Sequence, residues 1–357
     1  TIKFYIRIMV SKDTIRGVIL MDSSHRVAYI DGKTLMEKIV MPAEFIIEDL
    51  LGKGLHILAG APKVGKSWMV LWFCLQIAKG EPIWGMPVKQ GEVLYLALED
   101  HENRLQERII LLGDDAPASL HFSFSYPTLG NGLEEEIEKF LRAYPQTVLV
   151  VIDTLQMVRS NIFEYGYAAD YKDMAGLKEI TKKYQIAILL VHHLRKDETG
   201  DVFQRISGTV GIQGAADSCF TLVEDKRGSG KALLSCIGRD IAYREISLRR
   251  TENQIWELTE DSIEEKEKDL LPEKIAELME GRFFFEAPPT EFAELLRDSY
   301  RIDVSHLTLL KRLDQNRHAL KKLGFSFQSR KSNGTRYIKI FRIEEEIGTV
   351  GTAETGA

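Results

Sequence analysis

Three stretches of the chain are apolar almost without a break and then stop at a polar or ionisable residue: Val93 to Glu99, Thr147 to Asp153 and Ala187 to His193. A strand covered on both faces has no polar side, so short apolar runs of this kind predict buried strands of a parallel sheet. Leu55 to Ala59 is a further run, set directly before a helix-like stretch from Trp68, and Ala232 to Ile237 another. Helical patterns alternate with these runs, as crossover helices do between parallel strands. The prediction is an α/β domain with a mainly parallel sheet over residues 41–258. In such sheets ligands collect beyond the carboxyl ends of the strands, so the residues that end each run are the place to look for chemistry.

From Glu273 the pattern changes to a helix, a second helix, a longer third helix and a hairpin. Pro288-Pro289-Thr290 opens the second, with Thr290 as its cap, and the helix runs through Tyr300. Ser305 caps the third, whose Leu310, Leu313, Leu320 and Leu323 recur at helical spacing and form its core face; Gly324 ends it. Phe325 to Ser329 and Arg336 to Arg342 flank Asn333-Gly334, a strong tight-turn signal. This order predicts a small α+β winged-helix domain over residues 273–343.

Length and charge refine the picture. At 357 residues, the chain is long for one ordinary domain and suits a core plus a smaller module. The net charge of −6 hides a segregation. Six acids lie between Thr259 and Leu271, with Pro272 following, which predicts an acidic linker over 259–272. From Ser305 to Arg342, ten Lys or Arg stand against Asp314 alone, and a polyanion is the partner such a stretch fits. Lys311, Arg312, Gln315 and Asn316 on the third helix are types that reach phosphates and base edges, and Arg330, Lys331 and Arg336 would set a basic wing against the backbone. Residues 344–357 are acidic, then small and polar, and predict a disordered tail. Residues 1–40 show no charged-then-apolar leader pattern and form a segment of unassigned role. No apolar run approaches the roughly 18 residues a bilayer span needs. Cys74, Cys219 and Cys236 lie far apart without metal-ligand spacing, and read as buried thiols in a cytoplasmic protein.

The chemistry is concentrated at residues 60–67. Gly60-Ala61-Pro62-Lys63-Val64-Gly65-Lys66-Ser67 is a complete G-x-x-x-x-G-K-[ST] loop, and it predicts nucleoside triphosphate binding with Mg²⁺. The glycines let the backbone curl so that successive N–H groups, through Trp68, and a helix N-terminus face the phosphates. Lys66 reaches the β- and γ-phosphates, and the Ser67 hydroxyl is a Mg²⁺ ligand. Asp153, at the end of its run, suits the second metal position. Thr154 follows rather than a second acid, so the carboxylate that activates water comes from elsewhere. Glu99 ends the next strand after the loop and is the expected general base, reaching the γ-phosphate from an adjacent position; Asp100 is the expected cap of the helix carrying Arg104 and Arg108. His192-His193 ends the third run, where a polar group can feel the γ-phosphate and move the loop 197–217. Lys196 and Arg205, beside and within that loop, are the candidate grips for a nucleic-acid strand.

Together, Leu55 to Trp68, Val93 to His101, Val150-Val151-Ile152-Asp153-Thr154-Leu155 and Val191-His192-His193 closely resemble the RecA-like ATPases of the plasmid replicative helicase RepA family, over roughly residues 40–250. That resemblance implies a homo-oligomeric, usually hexameric ring with ATP between subunits and single-stranded DNA through its centre. Carried over by position, Lys66 and Ser67 hold phosphate and magnesium, Glu99 is the base, Asp153 the metal acid and His193 the sensor. One position departs: where the family places an arginine finger after the mobile loop, this chain has Asp217. Arg239, after the strand ending at Ile237, is the substitute, with a turn pair to Asp240 as the alternative. The reading that follows is a DNA-dependent ATPase and replicative helicase of a mobile element, acting on single-stranded and duplex DNA. An ATP-switched DNA-binding or replication-loading protein without unwinding activity is the second reading, and a filament-forming recombinase the third.

Overall fold

The computed structural model describes residues 29–37, 43–159, 167–195, 201–208, 210–259, 269–332 and 334–343. The acidic run 260–268, the tail 344–357, most of segment 1–40, Lys196 and Asn333 lie outside them. The chain divides into two compact units, residues 43–268 and residues 269–357 with 1–42. Helix α1 (Gly32–Glu37) belongs to the second.

In the larger unit, β1 (Phe45–Ile47) and β2 (Leu51–Gly52) form a small antiparallel pair. After them come β3 (Gly54–Gly60), α2 (Lys66–Lys79), β4 (Glu92–Ala97), α3 (Glu102–Leu112), β5 (Leu120–Ser123), α4 (Leu133–Ala143), β6 (Thr147–Asp153), α5 (Leu155–Val158), α6 (Tyr167–Tyr184) and β7 (Ala187–His193). A 3₁₀ turn (Val202–Arg205), α7 (Val210–Ala215), β8 (Ser218–Glu224), β9 (Lys231–Gly238), β10 (Arg244–Arg250) and β11 (Trp256–Leu258) complete it. One nine-stranded sheet runs in the order β11-β10-β9-β8-β3-β7-β6-β4-β5. The strands from β8 to β5 in that order are parallel, and β9, β10 and β11 extend the sheet as an antiparallel meander.

Both faces of the parallel strands are covered, which is why their sequences carry no polar side. Leu149 and Val151 of β6 and Leu189 and Val191 of β7 join one core with Met69, Val70 and Phe73 of α2. Their alternates, Val150, Ile152, Ile188 and Leu190, join the opposite core with Ile137 of α4 and Met174 and Leu177 of α6. The two predicted runs at Thr147–Asp153 and Ala187–His193 are strands over those bounds. The first run is shorter than predicted: β4 stops at Ala97 and Glu99 lies in the turn beyond it. Nor is β4 a neighbour of β3, since β7 and β6 lie between them. Asp100 is not the helix cap either. His101 caps α3 by accepting from the Arg104 N–H at 3.2 Å, because Asp100 is occupied by the guanidinium groups of Arg104 and Arg108.

The smaller unit contains α8 (Leu271–Leu278), β12 (Phe284–Ala287), α9 (Pro289–Tyr300), α10 (Leu309–Gln315), α11 (Arg317–Lys322), β13 (Phe325–Ser332) and β14 (Thr335–Arg342). Its sheet runs β12-β14-β13, all antiparallel, with Ser332 paired to Thr335 across the tip. Ile275, Phe292, Leu296, Leu309, Leu313, Phe325, Phe327, Ile338 and Ile340 pack beneath it as one core. Four details differ from the sequence pattern. Strand β12 was hidden by its brevity. The long third helix is two, broken at Asn316, and it starts at Leu309 rather than at Ser305. Leu323 is 42% exposed and outside the core. Thr290 caps nothing, since Pro289 takes the first helical position, where its missing N–H costs nothing.

His56 of β3 gives this fold a measurable acid sensitivity. It is fully buried, its Nε2–H donates to the Gly52 carbonyl at 2.9 Å, and burial pulls its pKa from 6.5 down to about 4. Above pH 6.5 the ring is neutral folded or unfolded, so the full stability is present; as pH falls toward 4 only the unfolded chain takes up the proton and stability is lost. That loss should amount to about 2–3 kcal/mol for this group. Urea melts at stepped pH should show a shallower acid slope for His56→Gln than for the parent.

Candidate active site

The phosphate loop is shaped by two left-handed residues, Lys63 at φ 66° and Gly65 at φ 103°. Gly60 is needed for space. A Cβ there would lie 2.8 Å from the Leu222 carbonyl oxygen and 3.0 Å from Val64 Cγ1. Gly65 caps α2 without any side-chain hydrogen bond, so no side chain competes for the N–H groups of the first turn. Ala61, Pro62 and Lys63 are exposed, whereas Val64 packs into the core and anchors the loop from within. Trp68, in the first turn of α2, is half-buried and carries the Arg108 guanidinium 5.3 Å from its ring centre.

Lys66 turns back along the loop, donating to the Gly60 carbonyl at 2.9 Å and the Ala61 carbonyl at 3.0 Å. Burial pulls its pKa down to about 8, against the opposing pull of Asp153 and Glu99. Asp153 is buried too, and desolvation raises its pKa, with the Tyr95 and Ser67 hydroxyls working in the other direction. Tyr95 donates to Oδ2 at 2.6 Å; Oδ1 is buried without a hydrogen-bond partner. A buried carboxylate oxygen left over beside a hydroxyl is a donor set that suits a hard divalent cation, so Ser67 and Asp153 fit Mg²⁺.

Glu99 is exposed in the turn after β4, and the Thr154 hydroxyl donates to its Oε1 at 2.8 Å. The register of β4 on β6, with Ala97 opposite Asp153, brings the two strand ends level. His193 lies directly opposite Gly60 across β7 and β3. Its pKa is lowered by burial and then by Lys66, while Glu99 and Asp153 act to raise it, which makes it part of the same electrostatic cluster. His192 does a different job: its ring pairs with the Ser207 carbonyl at 2.9 Å, and burial pulls its pKa down to about 4. The Ser207 N–H in turn donates to the His193 carbonyl at 2.9 Å. The loop after β7 is thereby pinned to both histidines. Arg205 is half-buried in a groove lined also by Glu224, Asp225 and Glu245, with its Nε buried and unpartnered.

Arg239 is not gathered into this cluster. It follows β9 at the amino end of the parallel strands, 62% exposed, and pairs with Asp217 at 3.3 Å rather than with Asp240. Asp217 explains its own presence. Its Oδ2 accepts from the Leu55 N–H at 3.0 Å and its Oδ1 from Lys178 at 3.0 Å, which fixes the start of β3. Burial works against the charge, but the Leu55 N–H, Lys178 and Arg239 hold this carboxyl below its usual value.

In the smaller unit, two expected DNA-reading side chains are occupied internally. Arg312 makes a bidentate pair with Asp269, at 2.9 and 2.8 Å, and Asn316 donates to the same carboxylate at 2.6 Å. Arg330 is likewise held by Glu286 at 2.8 and 3.2 Å. Lys311, Gln315 and Arg336 are exposed, and Lys331 is partly so.

Four residues of the larger site were missed by sequence reasoning. Tyr95 and Thr154 adjoin recognised residues, but their facing is a matter of strand register. Trp256 and Arg250 come from the far end of the unit: the Trp256 indole N–H donates to the Gly65 carbonyl at 3.3 Å, the Trp84 indole N–H donates to the Trp256 carbonyl at 2.6 Å, and Arg250 stacks 5.5 Å over the Trp256 ring. No local signal marks them.

A parallel sheet, a glycine-bounded loop entering a helix, a buried lysine and a strand-end aspartate define a P-loop nucleotide site on a RecA-like core. Residues 37–199 match the model of an AAA domain family. Solved structures with a similar fold include an isolated ATPase domain (13% identity, TM-score 0.48, 58% of this chain and 85% of that one) and a DnaB-like replicative helicase described with its primase interactions (12%, 0.48, 58% and 59%). The RadB recombinase is another (16%, 0.42, 58% and 91%). No curated protein sequence matches the chain. Among the described residues, no helix is long and apolar enough to cross a membrane.

The indole contact can be tested directly. Trp256→Phe should lower stability by about 1–2 kcal/mol in urea melts and weaken binding of a fluorescent ATP analogue several-fold, the value of one lost hydrogen bond with some packing. Parent-like results in both would remove Trp256 from the site.

Proposed function

We propose that the protein is a DNA-dependent ATPase of the hexameric replicative helicase type, resembling the RepA family and serving a mobile element. The observation that supports this reading is the convergence of Lys66, Ser67, Asp153, Glu99 and His193 at the carboxyl ends of β3, β6, β4 and β7. Lys66 is the cation for the β- and γ-phosphates. Ser67 and Asp153 hold Mg²⁺, which when bound neutralises charge on the phosphate oxygens. Glu99 takes the proton of the attacking water; Thr154 holds one of its oxygens and leaves the other for that water. His193 reads the γ-phosphate end of the loop, and its link to Ser207 carries the response into the segment with Arg205.

Arg239 is the proposed arginine finger, acting on the nucleotide of a neighbouring subunit in a homo-oligomeric ring. Its exposure and its distance along the sheet from its own phosphate loop suit a role in trans. The order of elements in the smaller unit suits a winged helix, with Lys311, Gln315, Lys331 and Arg336 as its DNA contacts and Arg312, Asn316 and Arg330 as its internal struts.

The test of the activity is ATP-dependent displacement of a labelled strand from a forked duplex. The parent should unwind, Lys66→Ala should not, and Glu99→Gln should bind ATP with turnover reduced by about 10²-fold or more. Turnover and DNA binding without unwinding would support the ATP-switched binding or loading protein instead. For the finger, mixing inactive Arg239→Ala with inactive Lys66→Ala should restore part of the ATPase through mixed interfaces; no recovery with demonstrated subunit exchange would refute it.

A further inference from the structure

The sheet of the smaller unit has one face that its own core does not use. On β14, Ile338 and Ile340 point into the core, so Tyr337, Lys339 and Phe341 lie on the opposite face. On β12, Phe285 packs inward and Phe284 lies outward, 56% exposed and in register with Phe341. Lys339 confirms the facing, since its ammonium stands 4.7 Å over the Phe284 ring. Arg330 crosses β14 on this face to reach Glu286, neutralising the carboxylate there. Helix α1 runs near β13 and leaves the β12–β14 half open.

We propose that this face is a stacking platform for unpaired nucleotides of a single-stranded nucleic acid. Every base has a π-face, so aromatic rings on an open sheet bind single strands with little regard to sequence, while neighbouring cations follow the backbone. Phe284 and Phe341 supply adjacent rings from paired strands, and Tyr337 stands further along β14. Lys339, on a flexible four-carbon stem, can leave the Phe284 ring for a phosphate as a base takes its place. Charge favours this occupant over a second protein surface: with Glu286 already paired to Arg330, Lys339 leaves the face positive, within a stretch holding ten cations and one acid from Ser305 to Arg342. The site is separate from the winged-helix contacts proposed above, and it requires neither ATP nor turnover.

The experiment uses the full chain carrying Lys66→Ala, without nucleotide, so that failure of the ATPase reading cannot imitate failure of this one. Anisotropy of labelled oligo-dT and oligo-rU, each about 20 nucleotides, and of a duplex of the same length would be measured. Phe284→Leu keeps an apolar side chain on the surface and removes the ring; it should weaken single-strand binding about 5- to 10-fold and leave duplex binding within about 2-fold. Lys339→Gln should weaken the same strand and flatten its salt dependence. Loss on either single strand supports the platform, and the strand that suffers more identifies the source of the ligand. Unchanged single-strand affinity, an equal loss on duplex, or a loss confined to self-association in sedimentation would overturn it.

Discussion

Hydrogen bonding between β3 and β7 sets Gly60 opposite His193, and the same ladder carried through β6 to β4 sets Asp153 opposite both Val191 and Ala97. The strand ends are level because the strands have no freedom to slip. Each is buried on both faces, and a slip of one residue would exchange the residues of the two cores. Hydrophobic packing therefore determines how far apart the lysine, the two carboxyls and the histidine stand. Chemistry at the rim inherits its precision from apolar side chains in the middle of the sheet.

Within that frame the ionisable groups are held against their solvation preferences. Lys66 and Asp153 are each pushed toward neutrality by burial, and each is pulled back by the other. Such a cluster is tuned for a ligand that brings its own charges. The smaller unit follows the opposite rule. Arg312 and Arg330, which look like free DNA contacts when counted along the chain, are pinned to Asp269 and Glu286.

What could be read from the chain follows from how local each signal is. The runs Thr147–Asp153 and Ala187–His193 are strands at those bounds because unbroken apolarity is a property of a single segment. The phosphate loop was equally legible, since its residues are contiguous. Neighbourhood in the sheet was not: β4 follows β3 in sequence yet lies three places away, so Glu99 meets the site through Thr154 rather than beside the loop. The role of Asp217 as a clamp on Leu55 and Lys178 was invisible for the same reason, its partners being 162 and 39 residues distant. The break at Asn316 was missed because leucine periodicity passes through it unchanged.

Trp256 bonds Gly65 from 191 residues away, on the last strand of the sheet. A ribosome releases the loop long before it releases the indole, so during synthesis the phosphate loop is complete in sequence yet lacks its support. The growing chain must finish the meander before its nucleotide cradle is closed. Order of translation thus becomes order of assembly, with the site reaching its final form only when the domain around it does.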